Sequence, residues 1–456
     1  MQETGSFDVI PNSPHILLIN PWIHDFAAYD YWAKPLGLLM IGAALRQHGA
    51  NVSYLDCLDR FHPRMPTADP LLRFGRGAYL KTRIPKPAGL KDIPRNYCRY
   101  GILPEWLIGI LTSNPKPDLI LVTSSMTYWY PGVQETIRTV KSVFSDIPVI
   151  LGGIYATLCR DHAVRFSGAD VVVSGPAESQ LFQIIYQLIG WRADSEIGLD
   201  DLDRLPFQAA DLQRVIPYIT LLTSAGCPFS CGYCASGYLN PKRILRNVGR
   251  IVEEIQYWLS GYGVADMVFY DDALLVDSER HAALLFAEII DRGLGKIVRF
   301  HTPNAVHIRE ITPMLARLMY DAGFKTLYLG FETAASNRSG WDCKVTCEEF
   351  ITAVSDLQSA GFHGDQMGAY LLAGLPGQSL ESIEASIEAV RKTGIWPVLA
   401  HYTPIPHTAL WPAAVASSRY DLESDPIFTN NAIFPCQKQP FSWTHLARLK
   451  KLLSNC

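Results

Sequence analysis

At 456 residues the chain exceeds a single ordinary core, and two or three domains are expected. A hydrophobic share of 48%, a charged share of 18% and a net charge of −4 describe a globular protein and argue against a general nucleic-acid binder, which would be basic overall. No apolar run approaches the ~18 residues that span a bilayer, and Met1 to Pro14 carries Glu3 and Asp8 but no Lys or Arg, unlike a signal peptide, so a cytoplasmic protein without a membrane span is expected.

Residues 16–20 read as a short buried strand, followed by a helical pattern over 36–48 and a second strand over 52–56. Residues 118–123 form a third strand, after which Val133, Ile137, Val140 and Phe144 recur on one helical face. Strands at 149–153 and 171–174 and a closing helix over 178–189 complete five strand-helix units. Continuous apolar strands alternating with helices predict a doubly wound parallel sheet, with ligands at the carboxyl ends of its strands. Those ends hold Asp56, Ser124, Ser125, Gly152, Gly153, Gly175 and Glu178. Glycine there lets backbone approach a bulky ligand, although any tight turn also favours it.

Residues 57–105 interrupt this domain as an insertion with little periodicity. From Arg60 to Tyr100 it holds ten Lys or Arg against two Asp. Long irregular segments of this kind are often functional. A basic lid and a solvated loop packed on the second domain are both open readings.

From Tyr218 onward six strands alternate with helices, at residues 218–224, 266–270, 296–301, 325–331, 366–373 and 397–402. Ser278, Thr346 with Glu349, and Ser379 read as helix N-caps. Six such units make a partial (β/α) barrel, with its reactive groups at the carboxyl ends of the strands. The loop after the first strand contains Cys227, Cys231 and Cys234. Three thiolates can hold three irons of a [4Fe–4S] cluster and leave the fourth open, whereas such clusters are normally closed by four. Zinc would want four closed ligands, yet the next cysteine is Cys343 and no histidine lies close to the trio. Cysteines serving a metal rather than disulfides fit a reducing compartment. Cys343 and Cys347 read as ordinary, and Cys436 and Cys456 take no assignment.

The spacing C-x3-C-x2-C, with Tyr233 before the third cysteine, resembles the radical S-adenosylmethionine (SAM) superfamily. Pro35-Leu-Gly37, Gly152-Gly153 and the run from Ser174 to Glu178 resemble the cobalamin-binding domain that precedes the barrel in one large subgroup. The resemblance implies that the open iron chelates SAM, with Asp271 and Asp272 where the superfamily binds the SAM amino group, and Glu332 near its ribose or methionyl part. A carboxylate would pair there with an ammonium; capping the next helix is the other role open to it. Asn304 ends the third strand, while Gly374, Gly377 and Tyr402 fall where the adenosine is contacted. His407 stands where a glycine is more usual and reads as a loop histidine satisfied by backbone. The D-x-H-x-x-G run that supplies a cobalt-binding histidine is absent, and His24 reads as a surface or hydrogen-bonded loop residue.

The expected organisation is a Rossmann-like cobalamin domain over 1–195, a linker over 196–215, a radical SAM barrel over 216–406, and a C-terminal extension over 407–456 that covers the barrel mouth. The implied activity is methylation of an unactivated carbon in a small-molecule or peptide substrate. It would use a 5′-deoxyadenosyl radical, methylcobalamin and an external electron donor such as flavodoxin or ferredoxin. Cobalamin-assisted rearrangement or cyclisation, a barrel enzyme that does not use cobalamin, and a cobalamin or redox sensor stay open beside it.

Overall fold

The computed structural model describes residues 13–175, 180–193, 201–334, 345–437 and 443–454. Glu178, Cys343 and Cys456 lie outside the described residues.

In the N-terminal half the strands are β1 (His15–Asn20), β2 (Ile23–Asp25), β3 (Asn51–Asp56), β4 (Lys81–Arg83), β5 (Cys98–Tyr100), β6 (Leu119–Val122), β7 (Val149–Leu151) and β8 (Val171–Val172). Five of them form a parallel sheet in the order β3-β1-β6-β7-β8. The order reverses between β1 and β6, and that switch point opens a crevice at the strand ends. Side chains of β1 alternate between two layers. Leu17 and Ile19 pack on the helix Tyr130–Val143, while Ile16 and Leu18 pack on α1 (Leu36–Gln47) and the helix Leu181–Ile189. Burial on both faces is why these strands read as unbroken apolar runs.

The insertion packs against both halves of the protein. β2, β5 and β4 form a small antiparallel sheet, and some of the positive charges are used internally. Arg60 Nε meets Asp30 at 2.9 Å, both side chains buried, and Arg99 meets Glu135 at 2.8 Å. Arg76 lies over the rings of Tyr31 and Trp32. Trp32 Nε1 donates to the Phe74 carbonyl at 2.8 Å, and the rings of Trp32 and Phe74 lie 4.7 and 4.8 Å from His301. His301 belongs to the second domain, so the insertion and the Tyr31-Trp32 corner plug that domain's interior. The packing of this segment on the barrel is thus observed.

The second half contains β9 (Ile219–Leu221), a hairpin of β10 (Ser224–Ala225) and β11 (Ile244–Leu245), then β12 (Asp266–Phe269), β13 (Arg299–His301), β14 (Phe324–Glu332), β15 (Met367–Ala373) and β16 (Trp396–His401). Six are parallel in the order β16-β15-β14-β13-β12-β9, with β9 and β16 as edges. Met267 and Phe269 pack outward against the helices; Val268 points the other way, against Trp32 and Tyr218.

Three sequence expectations need correcting. The strand expected over 218–224 breaks at Leu222 into β9 and β10. The strand expected from residue 296 begins at Arg299, after a 3-10 turn at Leu294–Lys296. Ser278 does not cap a helix: Asp277 adopts φ 57°, Ser278–Arg280 forms a 3-10 turn, and the helix starts at Ala282. The Thr346 capping box and the Ser379 cap are both formed.

The C-terminal extension straps the two halves together. Asn430 Nδ2 donates to Asp25 at 2.8 Å, Thr429 and Thr127 hydroxyls meet at 2.9 Å, and Tyr130 donates to Asp425 at 3.0 Å. Phe434 then sits over Gly374 at the end of β15. Among the described residues no helix is long and apolar enough to cross a membrane.

Candidate active site

The cysteine loop leaves β10 through Gly226, whose φ of 77° and close approach to the Lys242 carbonyl admit no side chain. Cys227 and Cys231 are half-buried and Cys234 is exposed, unlike Cys57, Cys98 and Cys436, which are buried. A turn from the Cys234 N–H to the Cys231 carbonyl, 3.0 Å, and a bond from the Leu410 N–H to the Gly232 carbonyl, 2.8 Å, hold the loop. Three partly exposed thiols on one loop suit a cubane cluster, whose irons occupy separate corners. No group of His, Cys, Asp or Glu among the described residues is gathered as for a single metal ion.

The two adjacent aspartates after β12 do different things. The Asp271 carboxylate is only 3% exposed and accepts from the Thr223 N–H (3.1 Å), the Thr223 hydroxyl (2.7 Å) and the Ser224 hydroxyl (2.7 Å). Burial pushes its pKa up, against those hydrogen bonds. It thereby locks the strand end that precedes the cysteine loop. Asp272 is half-buried beside Ser236 and Asn240, and burial raises its pKa as well. Ser236 in turn contacts the Cys234 sulfur at 3.2 Å, so Asp272 borders the cysteine loop directly.

Asn304 Nδ2 donates to the carbonyls of Tyr270 (3.0 Å) and Asp271 (3.3 Å), tying the third strand end to the second. Glu332 is buried with φ 63°, at a register shift between β14 and β15. Backbone in that region is costly for a side chain other than glycine, and such residues gather at functional sites. Gly374 and Gly377 take φ of 94° and 72°. Gln378 closes their turn, accepting from the Gly374 N–H at 2.8 Å and donating to the Leu372 carbonyl at 2.8 Å. Tyr402 is buried with Leu372 and Leu375, and Tyr233 of the cysteine loop packs against the same cluster. Among the described residues the Tyr402 hydroxyl has no hydrogen-bond partner. His407 stacks on Tyr238 with ring centroids 4.2 Å apart, and its Nε2 lies 3.1 Å from the Leu158 carbonyl, as a loop histidine satisfied by backbone would.

On the first domain Ser124 donates to the Gly152 carbonyl at 2.7 Å. Gly153 has φ 96°, and a Cβ there would fall 2.3 Å from the Ser124 carbonyl oxygen. Ser125 is exposed, with Met126 at 43% and Ile154 at 41%. An apolar, bare-backbone ledge of this kind fits a large macrocycle. Beside it a cavity of about 400 Å³ is walled by Met40, Gly152, Gly153 and Gly175 from the first domain and by Asn240 and Asp272 from the second. Asp56 is set apart. Its carboxylate accepts from Asn20 at 2.8 Å and faces another cavity with Lys34 and His62. His24 lies in β2, buried, with Nε2 2.7 Å from Glu135, so it is hydrogen-bonded but neither exposed nor in a loop. Gly153→Ala is expected to cost on the order of 2 kcal/mol through strain alone, read as a lower denaturation midpoint.

Residues 221–390 match the Radical SAM superfamily, and residues 100–185 match the B12 binding domain. The chain is a radical SAM enzyme with a cobalamin-binding domain. Its cofactors are accordingly a [4Fe–4S] cluster, SAM and cobalamin. It is 24% identical over 331 residues to an uncharacterized methyltransferase of Pyrococcus horikoshii, covering 66% of this chain and 70% of the relative. It is 24% identical over 331 residues to the anaerobic magnesium-protoporphyrin IX monomethyl ester cyclase of Cereibacter sphaeroides, covering 65% of this chain and 53% of that one. The fold is that of the radical SAM methyltransferase TsrM of Kitasatospora setae: TM-score 0.64, 16% identity, 90% of this chain and 78% of that one.

Sequence reasoning passed over Thr223, Ser224, Ser236, Asn240 and Tyr270, whose contacts arrange the site. The signal for the first two was their place just before the cysteine loop. Ser236 stands two residues after Cys234 and Tyr270 directly before Asp271, whereas nothing local marked Asn240.

Proposed function

We propose that the chain is a cobalamin-dependent methyltransferase acting on an unactivated carbon of a small-molecule or peptide substrate, supplied with electrons by a flavodoxin- or ferredoxin-type donor in the cytoplasm. One observation carries the reading: the glycine ledge of the first domain and Asp272 of the second wall a single cavity of about 400 Å³. When bound, the cluster with SAM supplies one-electron chemistry and cobalamin a transferable methyl group. Cys227, Cys231 and Cys234 hold the cluster. Asp272 faces the SAM ammonium, and Asp271 positions the cysteine loop from behind. Asn304 and Glu332 shape the neighbouring strand ends, while Gly374, Gly377, Tyr402 and Tyr233 enclose the adenosine side. Gly152, Gly153, Gly175 and Ser124 seat the corrin, with Ser125 at the same ledge. Asp56 lines a different cavity, with Lys34 and His62. Residues 1–195 and 216–406 are the two functional domains, joined by 196–215.

Ring closure in place of methyl transfer is a second reading, favoured by the similarity to the magnesium-protoporphyrin cyclase. Anaerobic reconstitution followed by SAM and a strong reductant is expected to release 5′-deoxyadenosine. Hydroxocobalamin is expected to co-elute in gel filtration with a base-off spectrum, unchanged in His24→Ala because that imidazole is engaged with Glu135. Intact SAM cleavage without any cobalamin retention would remove methyl transfer through cobalt. Isotope-labelled SAM methyl carbon appearing in product separates methylation from ring closure.

A further inference from the structure

The corner that plugs the barrel also connects the two cofactor sites. Tyr270 immediately precedes Asp271 and Asp272, and its hydroxyl accepts from the Lys34 N–H at 2.9 Å and donates to the Trp32 carbonyl. The carbonyl of Tyr270 is itself gripped by Asn304. Asp271 then holds Thr223 and Ser224, three residues ahead of Cys227. On the other side, residues 32–34 run through Pro35 directly into α1, and Met40 on that helix walls the cavity beneath the cobalamin ledge. Trp32 is buried with φ 63° and stacks on His301, so the order of this corner is shared with the barrel strands it packs on.

We propose that the Tyr270 hydroxyl couples occupancy of the cobalamin cavity to the affinity of the SAM site, as a positioning residue. The proposal rests on the cofactor sites assigned above. Its sign follows from ordering. A ligand against α1 fixes the corner and, through Tyr270, the Asp271-Asp272 turn, so SAM has less freedom left to freeze out and binds more tightly. Linkage is reciprocal, so SAM must tighten cobalamin binding by the same factor. Neither ligand needs to touch Tyr270.

The test is SAM affinity of the cluster-loaded full chain, measured anaerobically by equilibrium dialysis with and without saturating hydroxocobalamin. In the wild-type protein the cofactor is expected to tighten SAM by about fivefold or more, and in Tyr270→Phe by less than about twofold. Lys34→Pro removes the amide donor without touching Tyr270, and is expected to lose the linkage also; Lys34→Ala keeps the donor and is expected to retain it. Tyr328→Phe breaks the neighbouring hydroxyl contact with Tyr31 in the same plug and serves as the control that keeps the linkage. Hydrogen exchange adds a readout independent of turnover: SAM alone is expected to slow exchange of the amides of residues 30–34 in wild type but not in Tyr270→Phe.

Iron content and melting temperature report whether each variant folds. Absence of linkage in the wild type, its survival in both Tyr270→Phe and Lys34→Pro, or its loss in Tyr328→Phe would each overturn the proposal. If only one of Tyr270→Phe and Lys34→Pro holds iron, the linkage in that variant decides. Failure of the wild type to bind SAM or cobalamin at all would instead defeat the functional reading on which it stands.

Discussion

Replacing Cys227, Cys231 or Cys234 with alanine is expected to abolish SAM cleavage and strip the protein of most of its reconstituted iron, from about four atoms per chain. The loop has three thiols; among the other described cysteines Cys57 and Cys98 are buried in the first domain, where burial pushes the Cys57 thiol well above its ordinary pKa, and Cys436 is buried in the cluster on which Tyr233 packs. Two remaining thiolates leave two irons of the cubane unligated by protein. Cys347→Ala removes an exposed thiol whose sulfur contacts only the Ala334 carbonyl among the described hydrogen bonds, and is expected to leave iron and absorption intact. Iron analysis, visible absorption and 5′-deoxyadenosine release on the same preparations check all four. Full cleavage in the three loop variants would sink the cluster assignment.

Much of the architecture was legible because burial on both faces leaves an unambiguous mark. Ile16 to Ile19 could only be a central strand, and the Thr346-Glu349 pair announces its helix start through chemistry confined to four residues. What escaped was long-range. Trp32 and Phe74 looked like parts of an irregular loop because their partner, His301, lies more than two hundred residues further along the chain. The basic character of the insertion suggested a ligand, yet Arg60 and Arg99 answer to Asp30 and Glu135, which sequence distance hides. The position of the aspartate pair after β12 was readable, but not which carboxylate turns away from the barrel interior. Alternation along a strand supplies the reason afterwards. Val268 and Tyr270 face Trp32, Met267 and Phe269 face the helices, and Asp271 continues the second series.

That division makes opposite predictions for two neighbouring, chemically identical substitutions. Asp272→Asn is expected to keep its iron and its melting temperature while SAM affinity falls about tenfold or more, the equivalent of losing one charge-assisted hydrogen bond of roughly 1.5–3 kcal/mol. Asp271→Asn is expected to do the reverse. Its Oδ1 accepts from the Thr223 N–H and from the Thr223 and Ser224 hydroxyls in a buried site; an amide keeps that oxygen without its charge and turns an N–H toward the Thr223 N–H that Oδ2 meets at 3.2 Å. Each buried group left unmet costs about 1–3 kcal/mol, so the strand end ahead of Cys227 loosens and iron incorporation drops together with the denaturation midpoint. Iron content, melting and SAM dialysis on the two variants decide the matter. The assignment fails if Asp271→Asn weakens SAM binding at full iron and unchanged stability while Asp272→Asn leaves SAM affinity untouched, because the carboxylate that meets the ammonium would then be the one placed here behind the loop.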